Sequence, residues 1–302
     1  VGTTVTDDVV CEHPRFEKAA DFLAALRPGH PMWGADPGSW VFRGHADSKW
    51  RLLPASNRRA SLVPYFGTKY QGDGYCVPDP ADIEALLRQF VYALERAGHN
   101  VAGMPLMSIW RIADSVAYGL SDPSAGEAHE VVGLAQHHRL PTDLLDWTRH
   151  SNVAAYFAAS ETVNLSGELT GDIEVWALNK AIGEGAEYLG TIGSDRVSLR
   201  MLTPRRGGNP NLHAQSGLFT YAVYPTHEGT VIRSADEIAA AVAHTHRRLP
   251  RPLMHRLRLP QREAGEVLHL LSLEPVTGGT LFPGYDGVVR DVRDRVRLGR
   301  KD

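Results

Sequence analysis

The stretch Gln136-His137-His138-Arg139-Leu140-Pro141-Thr142-Asp143-Leu144-Leu145-Asp146-Trp147-Thr148 packs two imidazoles, two carboxylates, two hydroxyls and an indole together. Imidazoles pass protons near neutral pH, and a carboxylate can accept a proton or stabilise developing positive charge. Polar loops next to helix N-termini also bind phosphate. A capping network, with Thr148 or Ser151 opening the next helix and Asp146 paired to an arginine, explains some of these residues but hardly all. A second segment, Val41-Phe42-Arg43-Gly44 running on to Trp50 and Pro54, sets a cation among strand-type aromatics. A partly buried guanidinium demands an anion or a set of acceptors. A ligand or a structural carboxylate meets that demand equally. Gly44, with no side chain, lets a ligand or another backbone come close. The third segment is His213-Ala214-Gln215-Ser216-Gly217-Leu218-Phe219. A glutamine ahead of a strand can aim its amide into a site. An ordinary turn with Gly217 at positive φ is the simpler account.

Other chemistries are excluded by their missing motifs. Gly183 and Gly185 start a Gly-x-Gly-x-x-Gly pattern, but Tyr188 breaks it, so a dinucleotide-binding Rossmann unit is not expected. There is no P-loop and no His-Glu-x-x-His, and the Gly-x-Ser-x-Gly nucleophile elbow is absent. His137 and His138 are adjacent, so on a helix they point about 100° apart and share a metal poorly. No metal is expected.

The elements that must position these segments follow from periodicity. Residues 15–27 place Phe16, Ala19, Ala20, Leu23 and Leu26 at helical spacing, ended by Pro28-Gly29. Ser39 to Leu53 reads as a strand, a loop and a short second strand, and 64–80 as an irregular surface loop. Pro80 to Ala97 is the best helix, with Ile83, Leu86, Leu87, Phe90, Val91 and Leu94 on one face and Gly98 as its stop. Helices are predicted over 105–119 and about 126–139. Another covers 152–160, after a capping Ser151 or Asn152. Ile173 to Leu178 reads as a strand buried on both faces, Leu218 to Val223 as another, and Leu253 to Leu259 as a half-exposed one. Ser234 and Glu237 form a capping box for a helix over 234–249. Helices at 261–273 and 286–297 close the chain. Strands and helices mix without a regular β-α-β rhythm, which predicts an α+β fold around a single mixed sheet.

Composition agrees with a folded protein. The 302 residues are 43% hydrophobic and 22% charged, which suits an ordinary globular core rather than disorder. No run approaches the roughly 18–20 apolar residues of a membrane-spanning helix. Val1 to Asp8 has neither a basic start nor an apolar stretch, so no signal peptide is expected. Cys11 and Cys76 lack metal or redox spacing and read as plain thiols, which predicts a cytoplasmic setting. The net charge of −3 argues against a general nucleic-acid glove. Arginines do concentrate locally, at Arg247, Arg248, Arg251, Arg256, Arg258 and Arg262, and again at Arg196, Arg200, Arg205 and Arg206. Arginine suits planar contacts to phosphate or carboxylate.

These motifs resemble the FRG-domain family, named for its Phe-Arg-Gly motif, which stands here as Phe42-Arg43-Gly44 with Trp50 and Pro54 trailing. The family's central string and its following alanine-rich helix are matched from Gln136 to Ala158. Its Gln-x-Gly-x-Phe element is matched at Gln215, Gly217 and Phe219, and its closing element from Leu281 to Gly287. The resemblance implies one FRG-type domain over 1–302, with 1–38 an N-terminal helical extension, 39–302 the core, and a helical insertion around 80–140. One departure is Asp143, where family members often carry arginine.

The layout is also similar to that of ADP-ribosyltransferases, which implies a split-sheet core and NAD as a substrate. Under that similarity Arg43 holds NAD phosphate or ribose, Thr148 orders the site and Gln215 handles the nicotinamide ribose or the acceptor. Gly44, Thr142, Trp147 and Tyr156 join Arg43 and Thr148 in the NAD-binding set, with Trp147 or Tyr156 stacking on a ring. Gln215 stands where a glutamate is usual and cannot act as a base. Asp146, His137 and His138 are then the candidates. The implied activity is a transferase or NAD glycohydrolase, a toxin or phage-defence effector with a nucleic-acid or protein acceptor and an inhibitory partner. The alternatives are a non-catalytic nucleotide or nucleic-acid module, and a phosphodiester hydrolase using His137 or His138.

Overall fold

The computed structural model describes residues 11–99, 126–163, 168–184, 188–203, 210–224, 231–250 and 252–297. The expected helix over 105–119 lies outside them, as do Arg205, Arg206 and Arg251. The strands are β1 (Cys11–Glu12), β2 (Trp40–His45), β3 (Leu144–Thr148), β4 (Asp172–Asn179), β5 (Gly190–Ile192), β6 (Asp195–Leu202), β7 (Gly217–Val223) and β8 (Met254–Pro260). The longer helices are α1 (Ala19–Leu26), α2 (Arg59–Phe66), α3 (Pro80–Arg96), α4 (Gly126–His137), α5 (Ser151–Thr162), α6 (Ala235–Thr245), α7 (Ala264–Ser272) and α8 (Tyr285–Arg297).

The eight strands form one mixed sheet in the order β1-β8-β4-β2-β3-β7-β6-β5. Among the described strands only β1 against β8 is parallel. The fold is therefore α+β with a single mixed sheet. The segment before β2 adds an edge strand to that sheet as well as a helix. β4 is buried along its whole length after Asp172, as its apolar run requires. The capping box at Ser234 and Glu237 forms as read, and Asp79 caps α3 by accepting from the Ala81 N–H.

The structure revises four local expectations. Residues 50–53 are irregular rather than a second strand, and burial of Leu52 and Leu53 anchors them. The expected loop over 64–80 begins inside α2, which carries Pro64 within it. The segment after Pro141, read as a polar loop, becomes the central strand β3, because Leu144, Leu145, Trp147 and Thr148 are all buried between layers. Neither Ser151 nor Asn152 caps α5. His150 holds the N-cap position, and the Ser151 hydroxyl donates to the Leu26 carbonyl at 2.5 Å.

One face of the sheet is covered by α6 over Val41, Leu145, Trp147, Trp176 and Leu218. The other face carries two separate cores. Phe42, Val175, Ala177 and Leu257 pack under α5, α1 and α7. Leu144, Phe219 and Tyr221 pack against Leu62, Ile83, Leu87 and Val132 of α2, α3 and α4. The two cores part where β2 and β3 part, since those strands pair only at Phe42 and Thr148.

Gly44 sets the height of α5 above β2. A Cβ there would stand 2.0 Å from the Ala154 carbonyl oxygen and 2.8 Å from the Ala158 nitrogen. The close approach that the glycine permits is to helix backbone. Backbone cannot rotate away, so Gly44→Ala should lift α5 and destabilise the protein by about 3 kcal/mol. Urea unfolding would measure this, and an unchanged midpoint would refute it.

Candidate active site

A cleft of about 740 Å³ opens between the two cores. That volume suits a ligand of drug or nucleotide size. Its walls come from β2 (Phe42 to Gly44), the end of α4 (Gln136 to Arg139), β3 (Asp146 to Thr148), α5 (Ala154, Phe157, Glu161), Asn211, Gln215 and the segment from Phe282 into α8.

Arg43 occupies the place where the strands separate. Beyond the Phe42–Thr148 pair, β2 and β3 share no further ladder bonds, and the Asp146 carbonyl would be left without a donor. The Arg43 Nη1 donates to that carbonyl at 2.8 Å and lies 3.5 Å from Asp146 Oδ2. By strand alternation Arg43 belongs to the α6 face, paired opposite Trp176. Its guanidinium thus passes through the parting to reach a cleft on the other face. Burial lowers its pKa to about 10, against the pull of Asp146. It stays a cation at neutral pH. Nη2 has no protein partner among the described residues.

Behind Arg43 lies a buried polar relay. Arg43 Nε donates to His45 Nε2 at 3.1 Å. A guanidinium has only donors, so this nitrogen must be the unprotonated one. His45 Nδ1 therefore carries the proton and donates to Glu174 Oε1 at 3.1 Å. Glu174 also accepts from Trp176 Nε1 at 2.7 Å and from Arg256 Nε at 2.6 Å. Burial, with the nearby Arg43, Arg58 and Arg256 cations, holds His45 well below its ordinary pKa. Burial pushes Glu174 up to about 7, with Arg256 pulling the other way. Sequence reading passed over this relay. Its signals were a carboxylate inside the otherwise apolar run Ile173 to Leu178, and a histidine two residues from Arg43 on the same strand face.

Asp146 lies half-exposed in the cleft, with Gln136 Nε2 donating to its Oδ2 at 3.0 Å. Gln136 is itself held by Thr142 Oγ1, which donates to its Oε1 at 2.6 Å and accepts from the Leu144 N–H. Thr142 is fully buried and does not line the cleft. It supports Gln136 instead of touching a ligand. His137 and His138 both line the cleft, with rings 5.1 Å apart. Burial and the neighbouring His138 lower the His137 pKa. Asn211 Nδ2 donates to His137 Nε2 at 3.3 Å, so that acceptor nitrogen is occupied.

Two non-glycine residues in the left-handed region flank the cleft. Arg139 (φ 65°) closes α4, and Ser216 (φ 48°) precedes β7. Such backbone persists only where its surroundings overdetermine it. At Ser216 they do. The Thr148 hydroxyl donates to the Gln215 carbonyl at 2.6 Å, and the Arg149 N–H donates to the Ser216 carbonyl at 3.2 Å. The positive φ expected at Gly217 falls on Ser216. Gly217 serves packing, since a Cβ on it would meet Leu212 Cδ1 at 2.5 Å. Thr148 also accepts from the His150 N–H at 3.1 Å, so its hydroxyl joins two segments. Gln215 donates through Nε2 to the Leu281 carbonyl at 3.1 Å, and its Oε1 has no partner among the described residues.

Both expected stacking residues are buried, Trp147 in the cleft wall and Tyr156 behind it. Trp147 is buried on the α6 face with its indole N–H donating to Thr220 at 2.8 Å. Tyr156 is buried in α5, and its hydroxyl donates to Asp294 at 2.7 Å. Phe157 and Phe282 supply the aromatic surface instead, edge to face at 5.8 Å, with Arg290 4.1 Å above the Phe282 ring. Asp143, the departure noted above, accepts from the Ser56 hydroxyl and does not line the cleft.

Among the described residues no group of three His, Cys, Asp or Glu side chains could hold a metal, and no helix is long and apolar enough to cross a membrane. Residues 38–165 match the family model described as the FRG domain. The match takes in β2, α4, β3 and α5, while Asn211, Gln215 and the Phe282–Arg290 wall lie beyond it. No curated protein and no solved structure matches the chain.

Proposed function

We propose that this chain, which carries an FRG domain over residues 38–165, binds NAD in the cleft and breaks its nicotinamide–ribose bond. The observation that carries the reading is the Arg43 guanidinium, held between parted strands with Nη2 unused among the described residues, beside the Asp146 carboxylate. A cation with spare paired donors suits a phosphate or ribose, and a nearby carboxylate suits positive charge forming on a sugar. Arg290 offers a second cation on the opposite wall. Phe157 and Phe282 offer an apolar surface for a ring.

The bond that breaks joins the ribose C1′ to the nicotinamide ring nitrogen, and its electron pair leaves with nicotinamide. The transition state is oxocarbenium-like, by analogy with glycoside cleavage. Asp146 stabilises that charge, and Gln136 and Arg43 fix its orientation. A nucleophile from nucleic acid, protein or water then bonds to C1′ and gives up its proton. Gln215 cannot take that proton. With His137 Nε2 occupied, Asp146, His138 and the cleft residue Glu161 are the groups able to. Unrestrained, such an activity would harm its own cell. That fits a toxin or defence effector of the cytoplasm with an inhibitory partner.

Purified protein incubated with NAD should release nicotinamide, and one of DNA, RNA or cell protein should raise the rate by acting as acceptor. Asp146→Asn keeps the shape and one acceptor oxygen but removes the charge, so it should lower the rate by about 100-fold. Folded protein that releases nothing under any condition would favour a nucleotide-binding module without chemistry. An Asp146→Asn rate equal to wild type would remove the carboxylate from the mechanism.

A further inference from the structure

Helix α8 is docked with its polar side inward. Gly287 faces the body so closely that a Cβ would stand 1.9 Å from the Phe282 carbonyl oxygen, and Asp294 is buried against the Tyr156 hydroxyl. The opposite side is apolar and open. Tyr285 is 92% exposed, Val288 55%, Val289 57%, Val292 54% and Val296 68%. At about 100° per residue these five fall on one stripe about 100° wide, half a turn from Gly287 and Asp294. Scattered apolar residues on a surface need no explanation, but a continuous helical stripe does.

We propose that this stripe pairs with the same stripe of a second copy of the chain, the two α8 helices running antiparallel. The charges bordering the stripe favour that occupant. Asp286 stands near the N-terminal end and Arg293 near the C-terminal end, on the same flank of the helix. In an antiparallel pair about the middle of the stripe, each Asp286 comes beside the partner's Arg293. The helix dipoles also oppose one another in that arrangement. Asp286 and Arg290 also line the cleft, so the pairing would hold one cleft wall in place.

Sedimentation velocity of the full chain over a range of concentrations tests this. Wild type should show a dimer that dissociates on dilution. Val289→Glu and Val292→Glu should sediment as monomers at concentrations where wild type is dimeric, with circular dichroism unchanged because both sites are exposed. Arg293→Glu should weaken the dimer, and Asp286→Arg combined with Arg293→Asp should restore it. A wild-type chain that stays monomeric at high concentration overturns the proposal, including one that instead floats with anionic vesicles. So does a dimer indifferent to both valine substitutions. If the valine variants fail to fold, the charge exchange decides alone, and failure to restore the dimer overturns the antiparallel pairing.

Discussion

Replacing Arg43 by alanine should reduce nicotinamide release by at least about 100-fold, the effect of removing one preorganised charged donor from a reacting centre. The same change strips the donors from the Asp146 carbonyl and from His45 Nε2. Each unsatisfied group costs about 1–3 kcal/mol, so the melting temperature should drop while the fold survives. Arg43→Lys separates the two roles. It keeps the charge but not the planar fork that spans His45 and Asp146, so it should recover part of the binding and little of the rate. Activity assays and thermal melts on both variants give the answer. If Arg43→Ala melts lower yet turns over NAD at the wild-type rate, the guanidinium is only a brace for the parted strands.

Glu174→Ala carries the largest expected loss of stability. The carboxylate is fully buried and receives His45, Trp176 and Arg256 at once. Removing one side of a buried charged cluster costs about 3–5 kcal/mol, because its partners stay behind without it. Release of His45 should also loosen Arg43, so the rate falls with stability. Glu174→Gln is the gentler probe, and its pH dependence has a definite sign. The folded pKa of Glu174 is raised to about 7 from an ordinary 4.5. Its contribution to stability is complete below the ordinary value and disappears as pH rises through the folded one. His45 works the other way. Its folded pKa is depressed, so its contribution is present above the ordinary 6.5 and is lost as pH falls. In wild type the two oppose each other in mild acid. In Glu174→Gln only the His45 loss remains. The gap in stability between wild type and Glu174→Gln should therefore widen from about pH 8 to about pH 5. Denaturant midpoints at both pH values measure it, and a gap that narrows in acid would reverse the assignment.

Much of the framework was legible because it is local. The helix from Pro80, the capped helix after Ser234 and the buried strand around Val175 are written in apolar spacing and in capping residues a few positions apart. The motif segments were legible for a related reason: Arg43 and the string from Gln136 to Thr148 combine residue types that a plain core would not choose. β3 was missed, because a five-residue strand holding an aspartate looks like a loop until its neighbours bury it. The rings of Trp147 and Tyr156 are turned into the interior for the same reason. An aromatic ring beside a motif is a stacking candidate in one dimension. Strand alternation and helix packing decide which way it points.

The amino-acid order alone specified the mixed α+β elements, the cation at Arg43 and the carboxylate at Asp146, because propensity, capping and charge are properties of near neighbours in the chain. The cleft itself depended on contacts between residues far apart in sequence. Arg43 meets Asp146 across 103 positions, and His45 meets Glu174 across 129. Those encounters exist because β2 and β3 bond at one pair and then separate, and no local rule says where two strands part. The parting leaves a carbonyl in need of a donor, Arg43 supplies it, and the relay of His45 and Glu174 then holds the guanidinium against the cleft.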